Sequence, residues 1–509
     1  MSRATSKSHE SKLPRAEIWL AFGIAVIWAL LLRAGPLDLP YFWDEADVYA
    51  PGAHWLAENS LDFRPGVFPD DYSRGHPPLL YVMAGMAFRA FGPEPLIGHL
   101  VVLPFAALAL AATYLLGMCL WGRRTGLAAA TLLGITPLFA SISAMLLPEV
   151  ALTALAALAM LLFVRGRFIA LAFCGSAMVL LKETGLFVPL ALAGAVGLEA
   201  LWHRQLLKAV VWKRLALILV PIPVLAGFFV WQKLGAGYFI FPHHQNLFWA
   251  RDAGFSDLLT VAPSTLIWHG RWLVVGAGGL LALWAIRNKN LRPGLQGLRG
   301  TEPYSPDKTP GATSLALAVA LLFLGNTIFF TQMFWLHRYA LPVHPGILVL
   351  GTAALLSDTG KFKNKLWRFA RWVPVLGALL WAATGLKTAT AANEAELNFS
   401  YADVIATHLQ AYRAMEQNPM NPEGVVLSSW PMTIELRHPY LGYVSSSQKS
   451  VHIDQLRRDD GKQPAIERVL LPLQSRHTAA LRAKAAALGM RRQGRYQVGK
   501  AQALELMAP

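Results

Sequence analysis

Apolar residues run along this chain in stretches close to membrane-crossing length, separated by short polar segments. A helix needs about 20 apolar residues, rising 1.5 Å each, to cross ~30 Å of hydrocarbon. Such runs lie at 17–34, 94–120, 126–146, 149–164, 168–181, 184–201, 215–232, 272–286, 313–335, 340–357 and 372–390. The fifth and sixth read as a broken pair hinged at Lys182-Glu183. The first run follows a basic segment, as in a signal peptide. Arg33 and Pro36 interrupt the small residues a cleavage site needs, so it is read as a retained span. The expected fold is mainly α: a polytopic membrane protein of about 11 helices over residues 1–390, followed by a polar region at 391–509.

That polar region predicts a small α/β domain. Val425 to Ser429 reads as a strand, Ala479 to Leu488 as a helix ended by Gly489, and Arg495 to Met507 as two strands around Gly499. Residues 35–93 and 233–271 read as long loops on one side of the membrane, the kind that usually carry function. Residues 287–311 read as a flexible linker.

Composition agrees with the pattern. Of 509 residues, 55% are hydrophobic and 15% charged, against about 25% charged in an ordinary soluble protein. A water-soluble fold of this size would lack polar surface. The net charge of +16 comes from short basic clusters between the runs, a pattern of membrane orientation rather than nucleic-acid binding. With a cytoplasmic N-terminus, 22 basic residues fall in inside loops and about eight in outside ones. The C-terminal region is then extracytoplasmic. The two cysteines, Cys119 and Cys174, both lie in apolar runs, which excludes a disulfide framework and a cysteine metal site.

Charge at a membrane edge is costly and therefore informative. Asp44 and Glu45 follow the first span, Glu149 opens the fourth, Lys182-Glu183 forms the hinge, and Arg338 opens the tenth. All fall on the outer side of this topology, as a reaction site at the membrane boundary requires. Each also has an ordinary role open to it. Asp44 and Glu45 could be solvated loop acids, and Glu149 after Pro148 suits a helix start. Lys182 and Glu183 could pair at a hairpin tip, Arg338 could be an interfacial anchor, and His76-Pro77-Pro78 could simply start a helix. The outer-side histidines His54, His76, His243, His244, His269 and His337 lack the spacing that makes a metal site specific. A divalent metal ion is left open as a cofactor, with no ligand set given by spacing.

Four segments, in order, resemble the GT-C glycosyltransferases of the aminoarabinose transferase and protein O-mannosyltransferase type. They are Tyr41-Phe42-Trp43-Asp44-Glu45-Ala46-Asp47-Val48-Tyr49; Gly75-His76-Pro77-Pro78-Leu79-Leu80-Tyr81 with Phe91-Gly92; Lys182-Glu183-Thr184-Gly185 leading to Pro189; and His337-Arg338-Tyr339-Ala340-Leu341-Pro342-Val343 with Pro345. The resemblance implies an integral-membrane glycosyltransferase of the cytoplasmic membrane. Its donor would be a polyprenyl-phosphate-linked sugar, and its acceptor an extracytoplasmic glycolipid, lipid A, polysaccharide or protein. Asp44 would be the general base with Glu45 as its nearest substitute, and Glu149 would orient the acceptor or a metal. Arg338 is the first choice to hold the donor phosphate, with Lys182, Arg74 and His76 behind it. Aminoarabinose transferases carry Lys where this chain has His76, which implies that either Arg74 takes the phosphate charge or His76 serves as a metal ligand. The family precedent is inversion at the anomeric carbon. The rival reading is a multi-span transporter or channel, which predicts charges at the bilayer midplane and two repeated halves; neither is visible in the sequence.

Overall fold

The computed structural model of the protein describes residues 14–33, 35–242, 244–245, 261–262, 266–268, 270–287, 309–332, 335–356, 369–387, 396–418, 420–456, 464–473 and 475–509. His243, His269, most of the 287–311 linker and the 390/391 boundary lie outside them. Each of the eleven apolar runs carries helix in the described residues. Five helical stretches are long and apolar enough to cross a membrane: Pro95–Trp121, Glu183–Trp202, Ala209–Ala236, Ala312–Thr331 and His337–Leu356. Shorter apolar helices include Pro148–Val164, Phe168–Leu181 and Val373–Gly385. The molecule is a polytopic membrane protein.

Prolines cut several runs into pieces. The 126–146 run becomes Arg123–Ile135 and Pro137–Ile142, because Pro137 fits the first turn of a new helix and cannot continue the old one. The fifth and sixth runs are parted at Lys182, whose backbone is extended (φ −162°, ψ 139°). A 3-10 turn, Glu183–Leu186, then leads into Phe187–Trp202.

The first long loop is more ordered than its polarity suggests. It holds the helices Ala50–Glu58 and Leu79–Phe91. Ala50, Ala53 and Leu56 fall on one face at helical spacing, and so do Leu80, Ala84 and Phe88; all six are buried. The loop docks against the end of helix Pro221–Ala236, where Gly66 and Gly235 meet backbone to backbone. A Cβ on Gly66 would stand 2.2 Å from the Gly235 carbonyl oxygen, and Gly66 has a φ of +84°. Tyr238 donates to Asp70 Oδ1 at 2.5 Å beside this contact.

The C-terminal region folds around a five-stranded sheet. Its strands are β1 (Val425–Ser428), β2 (Ser450–His452), β3 (Ile466–Pro472), β4 (Arg491–Tyr496) and β5 (Leu504–Ala508), in the order β2-β1-β3-β5-β4. β1 runs parallel to β2 and β3, whereas β5 is antiparallel to β3 and β4. Alternation divides the two faces. Val426, Leu470, Leu504 and Leu506 join the main core with helix Tyr401–Gln417. Leu427, Val469 and Leu471 pack with Leu481 and Ala485 of helix Thr478–Ala487. The domain rests on the first loop: Tyr41 N–H donates to Leu441 O at 3.1 Å, and Trp43 lies 5.8 Å from Trp430, ring to ring.

Candidate active site

Local folding brings the acids and bases to helix ends. Trp43 has a φ of +48°, a left-handed conformation rare for a bulky residue and often held at functional sites. The chain turns there into the five-residue π-turn Glu45–Tyr49. Asp44 immediately precedes that turn and Asp47 lies within it. Glu149 follows Pro148 in the first turn of its helix. Lys182 stands at the break after Phe168–Leu181, and Arg338 in the 3-10 turn His337–Val343.

These positions, as much as 294 residues apart, form one ionic network. The Arg338 guanidinium donates from Nη2 to Asp44 Oδ2 and from Nη1 to Glu396 Oε2. Its Nε stands 3.5 Å from Glu149 Oε1. Lys182 Nζ donates to the same Glu149 oxygen at 2.8 Å and lies 4.5 Å from the centre of the Tyr339 ring. The chain of contacts extends to both sides. Arg74 donates to Asp47 Oδ2 at 2.5 Å, and His76 Nδ1 lies 3.0 Å from Glu183 Oε2, the residue after Lys182. His244, from the second long loop, places its ring 5.0 Å from that of His76.

Within this network access differs. Arg338 and Glu149 side chains are each 3% exposed and Glu396 4%, while Asp44 keeps 29%. Among the three carboxylates on Arg338, Asp44 alone can meet a substrate without rearrangement. Burial pushes its carboxyl upward, but the adjacent Arg338 outweighs this and holds it below the usual aspartate range. Burial raises Glu396 above the ordinary glutamate value, and the neighbouring Asp44 and Glu149 charges add to that against the pull of Arg338. Arg338 has carboxylates on both terminal nitrogens, so a phosphate reaching it must displace one. Arg74, at 36%, is the more accessible cation.

Glu45 faces the other way. Its carboxylate accepts the Phe42 N–H at 3.0 Å and the Leu146 N–H, and lies 3.1 Å from His99 Nε2. His99 Nδ1 in turn donates to Leu37 O, 2.8 Å away. Glu45 therefore binds the turn carrying Asp44 to the backbone just before Glu149, setting their separation without entering the network. Two residues around the site escaped sequence reasoning. His99 had a signal, an ionisable residue near the start of an apolar run. Glu396 had none, lying in a polar stretch without a motif.

No protein-family profile matches the chain, and no curated protein matches it by sequence. Similarity appears in three dimensions. A crystal structure of ArnT from Cupriavidus metallidurans bound to undecaprenyl phosphate superposes with a TM-score of 0.57 at 15% identity, covering 97% of this chain and 98% of that one. The same protein in its apo state gives 0.55 at 16% identity, covering 96% and 98%. An oligosaccharyltransferase from Archaeoglobus fulgidus, in complex with Zn and sulfate, gives 0.51 at 13% identity, covering 91% of this chain and 69% of that one. The fold is GT-C.

A divalent ion held by Asp44 and Glu149 would have to displace a cation already there. The Arg338 guanidinium already bridges those two carboxylates, and Lys182 neutralises Glu149 further. This donor set does not fit a metal. Among the described residues, the group of three His and Asp side chains close enough to hold one is His452, Asp454 and His477, in the C-terminal domain.

Proposed function

We propose that this protein transfers a sugar from a polyprenyl-phosphate donor to an extracytoplasmic acceptor, with Asp44 as the general base. The observation that carries the reading is the single connected network of Asp44, Glu149, Lys182 and Arg338, gathered at helix ends. The GT-C fold, shared with a protein crystallised with undecaprenyl phosphate, supports the donor class.

The reaction is a displacement at the anomeric carbon. The acceptor oxygen forms the new bond, the bond to the phosphate oxygen breaks with its electron pair, and the acceptor proton passes to Asp44. An ionised carboxylate is ready for this at neutral pH, and Arg338 keeps Asp44 ionised. It is a weak base, suited to a proton that leaves late, once the acceptor oxygen has become acidic through bonding. With Glu149 and Glu396 buried behind Arg338, a single displacement with inversion is favoured; retention needs a second, nucleophilic carboxylate on the opposite face. Glu149 holds Arg338 and Lys182 in place. Fixed positive charge near the departing phosphate lowers the barrier. Arg74 and His76 are the accessible groups for contact with it, with Lys182 and Arg338 supplying the field behind. His76 stands where aminoarabinose transferases carry Lys, and Glu183 fixes its ring through Nδ1, leaving Nε2 to face the phosphate.

A transporter or channel is the weaker reading, because it needs its charges at the midplane between repeats, whereas these stand at helix ends. Within the enzyme reading, the acceptor stays a class: glycolipid, lipid A, polysaccharide or protein. Asp44→Asn should lower transfer by ~10²–10⁴-fold, the usual worth of a general base, with donor binding and the detergent-solubilised fold unchanged. Turnover at the wild-type rate would remove Asp44 from the chemistry.

A further inference from the structure

We propose that His452, Asp454 and His477 form a binding site for a zinc-like divalent transition metal in the C-terminal domain, separate from the transfer site. The three residues meet at the carboxyl ends of parallel strands. His452 ends β2, Asp454 opens the short helix Ile453–Leu456, and His477 follows β3 and caps helix Thr478–Ala487. In open α/β sheets this edge is where ligands gather.

The geometry is nearly that of a first coordination sphere. Asp454 stands between the two rings, with Oδ2 3.8 Å from His452 Nδ1 and Oδ1 3.8 Å from His477 Nδ1. The rings lie 5.2 Å apart at 84°, and one donor atom from each residue falls within 4.8 Å of the others. Tetrahedral zinc with bonds of ~2.0–2.1 Å places its donors about 3.4 Å apart. Side-chain rotations that close the cluster by about an ångström achieve this. All three side chains are part-exposed, so an ion has a path in and water can complete the sphere.

Hydrogen bonding fixes the tautomers. The Asp454 backbone N–H donates to His452 Nδ1 at 3.1 Å, so that nitrogen is unprotonated and a metal bound there replaces this hydrogen bond. Arg476 Nε donates to His477 Nε2 at 2.9 Å, so the His477 proton sits on Nδ1, facing Asp454. Metal binding at Nδ1 moves that proton to Nε2, and the exposed Arg476 side chain swings into solvent. Two imidazoles and one carboxylate select zinc, copper or nickel over magnesium and calcium, which prefer all-oxygen sites. The bound ion would staple the end of β2 to the start of helix Thr478–Ala487 beside the small core of Leu427, Ile453, Val469 and Leu481.

The test uses the full chain in detergent, stripped with EDTA and desalted. Zn2+ titration followed by metal analysis should show one more ion bound per chain in the wild type than in His452→Ala/His477→Ala, and no such difference with Mg2+. Outer-shell changes alone cost ~10–100-fold in metal affinity, so losing both ligands should weaken this site by at least about a hundredfold. Hydrogen exchange on the wild type locates the ion: Zn2+ should slow exchange in 450–456 and 477–487. Equal stoichiometry and affinity in the two proteins overturns the site. If the double variant fails to fold, unaltered exchange in those two segments of the wild type overturns it equally.

Discussion

At the scale of single residues, the Arg338 cluster is a problem of charge balance. Three buried or part-buried carboxylates, Asp44, Glu149 and Glu396, surround two cations, Arg338 and Lys182, leaving one negative charge in excess. Glu396 is the one protonated first as pH falls, since its carboxyl is raised while that of Asp44 is lowered. A raised carboxyl binds its proton more tightly in the folded state. Its contribution to stability is present below the unfolded value and is lost as pH rises through the folded one. Asp44 behaves oppositely: its contribution is present at neutral pH and is lost as pH falls through its depressed value. Glu396→Gln should therefore cost less at pH 7 than Glu149→Gln. Glu149→Gln strips a buried Lys182 of its carboxylate and should cost ~3–5 kcal/mol. Thermal unfolding of the two variants from pH 4 to 8 checks this. The difference between Glu396→Gln and wild type should shift in the variant's favour as pH rises. Equal losses in both variants would refute the balance.

At the scale of elements, the site depends on interrupted helices. Asp44, Glu149, Lys182 and Arg338 occupy, in turn, a strained turn, a proline-started helix, a helix break and a 3-10 turn. These breaks were readable because proline and charge are expensive within apolar runs, which is why Lys182-Glu183 marks a hinge in the sequence itself. What could not be read was direction. Asp44 and Glu45 are adjacent and chemically alike, yet successive residues of a helical turn point about 100° apart, so one enters the network and the other holds Leu146 and His99. Nor does polarity reveal that the first loop is largely helical, because its helices are short and separated by polar turns. The docking of that loop depends on close backbone approach. Gly66→Ala introduces a Cβ at a φ of +84° and 2.2 Å from the Gly235 carbonyl oxygen. It should cost ~1–3 kcal/mol, lower transfer by moving Arg74 and His76, and leave the C-terminal domain's zinc affinity unchanged. A thermal-shift assay with a transfer assay reads both effects; wild-type behaviour in each would mean the loop docks by other contacts.

At the scale of the whole molecule, the C-terminal domain takes part in the site. Glu396, at its start, reaches Arg338, and its backbone carbonyl accepts from Ser141 Oγ at 2.5 Å. The edge strand β2 and the central strand β3 were not foreseen. β2 has only three residues, and β3 is an apolar run without clear alternation, so the sheet exists mainly through long-range pairing. The same is true of the seam between domains, where residues near 430–442 meet residues 40–43. Gly442 lies at that seam with a φ of +92°, and a Cβ there would come within 3.2 Å of Pro40 Cα and Pro95 Cγ. Gly442→Val adds a β-branched residue where the backbone is left-handed and space is closed. The domain should then separate slightly from the first loop, weakening the Tyr41 to Leu441 hydrogen bond and freeing Trp43 from Trp430. Because Trp43 immediately precedes Asp44, the expected result is a fall in the transfer rate larger than any fall in donor affinity, with helix content unchanged. Rapid-mixing kinetics with a polyprenyl-phosphate sugar would separate the two quantities. A variant that binds and turns over donor as the wild type does would show that the domain merely sits on the membrane portion and does not help set the position of Asp44.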